Sequence, residues 1–216
     1  MVSTTSSAGP DARRQALQQY RVRAEHYDSE LAPFEPLRRE AIGRLNLRPG
    51  QTVLDVGCGT GLSFAPLLDR LGPDGHVVGI EQCPEMLARA RSRVLNQRRR
   101  QVTLLQAPVE EATWPGQADA ALLHFTHDIL RRPAAIDNVL AHLAPGARVV
   151  ATGLQWAAPW VWPVNLFVLG AALYSVSSLD GLAQPWSRLA PRLDGFEVHP
   201  TWMGGIFMAS GVWRGR

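Results

Sequence analysis

The chain has no lysine, and all 22 of its Lys+Arg positions are arginine. Lysine-based chemistry is therefore excluded. Cysteine is nearly absent too: Cys58 and Cys83 stand alone, so a disulfide framework is ruled out and both read as free, space-filling thiols in a reducing compartment. Histidines are few and scattered, with no metal-ligand spacing, and no segment repeats. The net charge of +3 is too small and too dispersed to argue for nucleic acid. The tight basic run Arg98-Arg99-Arg100 falls at the expected end of a helix, where cations complement the dipole. Residues 1–11 are rich in Ser, Thr and Gly and lack an apolar core, so they read as a disordered lead-in and not as a signal peptide.

What is present begins at Thr52-Val53-Leu54-Asp55-Val56, a β-branched apolar run of the kind buried on both faces of a parallel sheet. Gly57, Gly59 and Gly61 follow at spacing two, and a helix is expected from Leu62 to Leu71. Strand, glycine turn and helix open a nucleotide-type βαβ unit, whose glycines let a ligand approach where a Cβ would collide. A dinucleotide fingerprint needs its third glycine where this chain has Leu62. Asp55 at the strand end would repel a pyrophosphate and welcome an ammonium-bearing ligand.

Val53 to Gly61 closely resembles the first motif of the class I S-adenosylmethionine (SAM) methyltransferases, in particular the small-molecule type that methylates ubiquinone and menaquinone precursors. The resemblance covers roughly residues 20 to 153. It implies an α/β, Rossmann-like class I methyltransferase fold: a mostly parallel seven-stranded sheet, a C-terminal antiparallel hairpin and an N-terminal helical lid. One domain is expected over 12–216, with the lid at 12–46, the cofactor core at 51–153 and a substrate-pocket helix and hairpin at 154–216.

Site residues follow motif by motif. Helices are expected over 12–28 and 36–45, and in similar enzymes a Tyr-Asp pair before the core lies over the cofactor, which points to Tyr20 and Tyr27. These can share one helix face and can equally be packing residues. Asp55, Gly57, Cys58, Gly59 and Gly61 form the bend, with Asp55 near the methionine ammonium or ordering the turn. His76 to Glu81 is the second strand, and Glu81, 20 residues beyond Gly61, suits the ribose hydroxyls. Gln82 and Met86 resemble the positions flanking adenine, and a helix runs from Pro84 to Val94. After the third strand, Val102 to Gln106, the family has an acid for the adenine amino group. Here Pro108 occupies that place, and Val109 backbone groups or Glu110 are the substitutes.

The fourth strand, Asp119 to His124, leads into Phe125-Thr126-His127-Asp128, where class I enzymes face the methyl donor. His127 and Asp128 are the catalytic candidates, since a histidine beside a carboxylate can take a proton near neutral pH. Asp128 can instead cap the next helix, and His124 suits a cofactor contact. A helix at Pro133–Leu143, stopped by Pro145-Gly146, precedes a fifth strand at Ala147–Gly153.

Six of the seven tryptophans fall after residue 153, and residues 154–179 contain no charge. Pro159, Pro163 and Asn165 break what would otherwise suit a membrane span. A helix over 163–176 walling an apolar substrate cavity is expected, with peripheral lipid contact as the intermediate reading. A short helix is expected at 185–189, then a hairpin of Phe196–Trp202 with Gly205–Trp213. The Asn/Asp-Pro-Pro-aromatic motif of base methylation is absent, which weakens a nucleic-acid substrate.

The expectation is thus a cytoplasmic enzyme, monomer or homodimer, that transfers methyl from SAM to a small, fairly apolar acceptor. The alternatives are a lipid or quinone methyltransferase at a membrane surface, a non-catalytic SAM-binding fold-mate and an NAD-dependent oxidoreductase.

Overall fold

The computed structural model of the chain describes residues 31–97, 100–175 and 179–215. The expected first helix, with Tyr20 and Tyr27, lies outside the described residues, as do Arg98 and Arg99. The elements run α1 (Glu35–Arg44), β1 (Thr52–Val56), α2 (Phe64–Leu71), β2 (His76–Glu81), α3 (Pro84–Asn96), β3 (Val102–Gln106), β4 (Ala118–His124), α4 (His127–Leu130), α5 (Pro133–Ala141), β5 (Leu143–Leu154), α6 (Trp162–Ser175), β6 (Asp194–Thr201) and β7 (Ile206–Trp213). Short 3₁₀ turns at Ala32–Phe34, Val109–Glu111, Ala190–Arg192 and Trp202–Gly204 connect them.

One seven-stranded sheet has the order β3-β2-β1-β4-β5-β7-β6. The first five strands pair in parallel, and β7 runs antiparallel to both β5 and β6. Strand order reverses beside β1, and the crevice outside the carboxyl ends of β1 and β4 is where such sheets hold ligands.

Because side chains alternate across a strand, the sheet divides its residues between two cores. Val53, Val77, Leu122 and Met208 join the core covered by α1, α2 and α6, while Leu54, Val56, Ile80, Leu123 and Phe207 join the one covered by α4 and α5. In α1 the buried positions are Leu37, Arg38, Ala41 and Ile42, one helical face with a cation in it.

Two local expectations shift. The helix after β4 ends at Ala141, because Leu143 already pairs with Ala118 and an irregularity carries β5 past Pro145-Gly146. Residues 185–189 form successive turns, and the only helical piece there is the 3₁₀ turn Ala190–Arg192. α6 packs on the sheet through Val168 and Ala172, and Trp162, Leu166, Phe167 and Leu173 face outward.

Candidate functional site

The glycine bend takes its shape from three left-handed residues, Gly57, Gly59 and Gly61, at φ of 68°, 57° and 79°. A Cβ on Gly57 would sit 2.8 Å from the Thr126 methyl and 2.9 Å from Ile129 Cδ1. One on Gly61 would meet the Phe64 ring at 2.3 Å. Glycine is required at both places by space as well as by dihedral angle.

Two crevices flank this bend. The larger, about 620 Å³ and open to solvent, has Glu81, Gln82, Met86, Val109, Asp128 and Arg132 among its lining residues. The smaller, about 360 Å³, takes in Arg38, Asp55, Cys58, Thr60, Leu62 and Ser63. Gly57, Gly59, His124 and Phe125 line both, so the two meet at the ends of β1 and β4.

Glu81 ties the bend to the loop after β2. Gly59 N–H donates to its Oε2 (3.1 Å) and Cys83 N–H to its Oε1 (2.7 Å). Burial pushes its carboxyl up, opposed by the backbone donors of Cys83, Gly59 and Gln82. Each oxygen keeps a further lone pair for a ligand hydroxyl. Asp55 alternates with Leu54 and Val56 and so faces α1. Burial raises its pKa to about 7, with the Arg38 charge pulling it down and Glu81 pushing it up. Its Oδ2 is buried and meets no donor.

His124 Nδ1 and Thr152 Oγ1 are hydrogen-bonded at 2.6 Å, while Nε2 is buried without a partner. Burial, and then the Arg38 charge, lower the His124 pKa to about 3, so its imidazole is neutral. Phe125 follows at φ 57°, a left-handed conformation unusual for an aromatic residue. It turns the chain at the junction of the crevices and packs edge-on against Phe34, 5.4 Å between centroids.

His127 occupies a different place. Its ring lies over Gly153, where a Cβ would come within 2.6 Å of it, and it lines neither crevice. Its Nε2–H donates to the Leu154 carbonyl (3.0 Å), and burial lowers its pKa. As the first residue of α4 it points back at β5, whereas Asp128 reaches the larger crevice. Pro108 is buried and adjoins that crevice only through its neighbours Ala107 and Val109. The Glu110 that was to replace an acid there is held by Arg132 Nη1 (2.5 Å). Cys58 keeps a neutral thiol, burial and the Asp55 and Glu81 charges raising its pKa. Arg38, Phe125, Thr126 and Arg132 were not read as site residues. Arg38 alone carried a signal, a charge placed within the apolar stripe of α1.

The residues suit an adenosyl sulfonium amino acid. The larger crevice offers a carboxylate with spare acceptor capacity, apolar walls at Ile80, Met86 and Val109, and the buried orphan Gln82 Oε1. The smaller offers opposite charges for an amino-acid end. A doubly wound sheet with such a glycine bend defines a Rossmann-like nucleoside-binding protein.

The Methyltransferase domain family matches residues 53–146, from β1 into β5. The chain is 33% identical to the trans-aconitate 2-methyltransferase of Azoarcus sp. over 177 residues, 76% of this chain and 65% of that one. It is 29% identical to the demethylmenaquinone methyltransferase of Symbiobacterium thermophilum over 140 residues, 59% of this chain and 54% of the relative. The chain spans from 12% to 65% of the length of eight curated relatives it matches. Among solved structures, the N-methyltransferase NodS of Bradyrhizobium japonicum in complex with S-adenosyl-L-homocysteine superposes with a TM-score of 0.63. That match is 17% identical and covers 93% of this chain and 98% of NodS.

Proposed function

We propose that this protein transfers the methyl group of SAM to a small, fairly apolar acceptor. The observation that carries the reading is the pair of crevices sharing one glycine bend, Glu81 in one and Asp55 in the other, meeting at His124 and Phe125. Glu81 would hold the ribose, Met86 and Val109 the adenine, and Asp55 the methionine ammonium. Bound there, SAM supplies an electrophilic methyl on a cationic sulfur.

The protein's own work is alignment. An acceptor atom must approach in line with the bond that breaks, and a dry site keeps water from competing. Phe34 and Phe125 provide an apolar wall at the junction. A base is needed only where the acceptor must lose a proton. His124, held neutral with a pKa of about 3, is too weak a base for that task and serves as a hydrogen-bonding group. Asp128 is the carboxylate at the larger crevice, while His127 acts through packing. Calorimetric titration with S-adenosylhomocysteine and with NADH tests the cofactor assignment: micromolar-range binding of the first and none of the second is expected. Binding of NADH instead would return the chain to the oxidoreductases.

A second reading, an acceptor drawn from a lipid surface, is favoured by one feature. Trp160 is 81% and Trp162 68% exposed, and Leu166, Phe167, Leu173, Trp202 and Met203 are exposed as well. Phe167, Trp202, Phe34 and Phe125 run from them to the crevice junction, at successive ring-centroid separations of 6.4, 5.3 and 5.4 Å. Among the described residues no helix is long and apolar enough to cross a membrane, so such contact would be peripheral.

A further inference from the structure

We infer that His124 presents an unpaired Nε2–H donor to the methyl acceptor, and that the acceptor meets it with an oxygen already anionic, a carboxylate on an apolar body. This rests on the methyl transfer proposed above and names the chemical class of its acceptor.

Thr152 lies beside His124 where β5 pairs with β4, and it is fully buried. Its Oγ1 is 2.6 Å from His124 Nδ1, and among the described residues the hydroxyl has no other partner. Burial, and then the Arg38 charge, keep the imidazole neutral, so the ring carries one proton. On Nδ1 that proton would point at Thr152 Oγ1 and strand the hydroxyl's own hydrogen in the core. With the hydroxyl donating to Nδ1 instead, the ring proton sits on Nε2 and a single donor is left over. Nε2 is buried and meets no partner. An orphaned buried donor is costly, and a ligand atom that accepts from it removes the cost.

The two crevices have Gly57, Gly59, His124 and Phe125 in common, and His124 is the titratable residue of the four. A neutral ring held so far below its ordinary range does not take a proton from an alcohol or a phenol. Of the charged groups nearby, Asp55 and Glu81 are assigned to the cofactor, and Asp128 and Arg132 line the larger crevice alone. Arg38, in the smaller crevice, adds positive potential at the ring. An acceptor that must shed a proton therefore has no group to receive it at the junction. A neutral amine would lose to Nε2–H the lone pair with which it attacks. A carboxylate has neither difficulty. One oxygen accepts from Nε2–H, and the other attacks the methyl carbon in line with the sulfur. The C–O bond forms as the C–S bond breaks, the sulfur keeps that electron pair, and an ester and a neutral thioether result with no proton exchanged. The apolar body of the acceptor lies against Phe34 and Phe125.

The full chain allows two tests. In long-range ¹H–¹⁵N correlation spectra at neutral pH the His124 proton should sit on Nε2, and in Thr152→Val it should move in part to Nδ1. A proton on Nδ1 in the unaltered chain overturns the inference. With S-adenosylhomocysteine saturating, calorimetry then compares 2-naphthoate with its neutral isostere 2-naphthamide, and decanoate with decanamide. In at least one pair the carboxylate should bind roughly 10- to 100-fold more tightly, the usual worth of a hydrogen bond to a charged group. His124→Phe should erase that preference, and His124→Gln, which keeps an N–H donor, should retain part of it. Equal affinities within both pairs, or no binding of any of the four, overturn the inference without any variant. So does a preference that survives in His124→Phe shown by thermal melting to be folded. Turnover separates this from the reading beneath it. The preferred carboxylate, given with SAM, should yield its methyl ester and S-adenosylhomocysteine. Methylation of 2-naphthol or 2-naphthylamine, and of neither carboxylate, would overturn the inference and leave methyl transfer standing. Failure to bind S-adenosylhomocysteine at all would remove the cofactor reading, and this inference with it.

Discussion

Asp55 and Glu81 end neighbouring parallel strands, and their surroundings give them different work. Glu81 accepts two backbone N–H donors from two loops and so fixes the bend before any ligand arrives. Glu81→Gln keeps the volume but turns an NH₂ group toward one of those donors. It is expected to weaken S-adenosylhomocysteine about tenfold or more and to cost about 1–3 kcal/mol of stability, read by calorimetry and urea unfolding. Asp55 has an orphaned oxygen and a pKa near 7 in the fold against 3.8 unperturbed. Between those values the folded chain holds a proton that the unfolded chain has released, so this group's contribution to stability falls as pH rises from about 4 to 7. His124, lowered to about 3, works the other way below its ordinary value. The informative quantity is therefore the difference between Asp55→Asn and the unaltered chain. The variant should gain stability relative to the parent between pH 5 and pH 8, by on the order of a few kcal/mol at most. Urea midpoints that stay parallel across that range would rule out a buried, proton-holding Asp55.

At the scale of elements, β1 to β4 were legible because parallel strands buried on both faces spell continuous apolar runs between punctuating residues. β2 and β3 appear at the expected bounds, and the hairpin of β6 and β7 lies at the sheet edge. The segment 185–189 was misread because Pro185 and Trp186 look like a helix start, yet the chain there packs Trp186 against Phe207 through turns. The direction of His127 was not legible either. Four residues of α4 set which neighbour faces the crevice, and the adjacent pair His127-Asp128 splits, one side chain going to β5 and the other to the larger crevice. The close approach of His127 to Gly153 makes a prediction about the elements it joins. Gly153→Ala should force β5 and α4 apart and cost about 1–3 kcal/mol, measured by thermal unfolding. His127→Ala should lower the melting temperature more than it changes affinity for S-adenosylhomocysteine. An unchanged melting temperature with lost turnover would return His127 to the chemistry.

Across the whole molecule, none of the described residues of the charge-free stretch 154–179 lines either crevice at the bend. α6 covers the sheet with a narrow buried face and presents tryptophan, leucine and phenylalanine to the outside. Several large apolar side chains exposed on one helix suit a contact surface. If it meets lipid, the chain should co-sediment with phosphatidylcholine/phosphatidylglycerol vesicles, and a Trp162→Ser, Leu166→Ser, Phe167→Ser variant should lose that partition while binding S-adenosylhomocysteine as before. Absence of the parent chain from the vesicle pellet would dismiss the lipid reading and leave the small soluble acceptor.

The sequence by itself determined the glycine bend, the acids that end β1 and β2, and the order of strand and helix that places both at one sheet edge. Those features are local: dihedral freedom, β-branching and period-two burial act within a few residues. Only the tertiary structure decided that Arg38, 17 positions before Asp55, shares its crevice, that His127 faces away from it, and that α6 turns Trp162, Leu166 and Phe167 outward. Such facts depend on how α1, α4 and α6 settle on the sheet, and that packing is fixed by the summed burial of two cores rather than by any stretch of chain read alone.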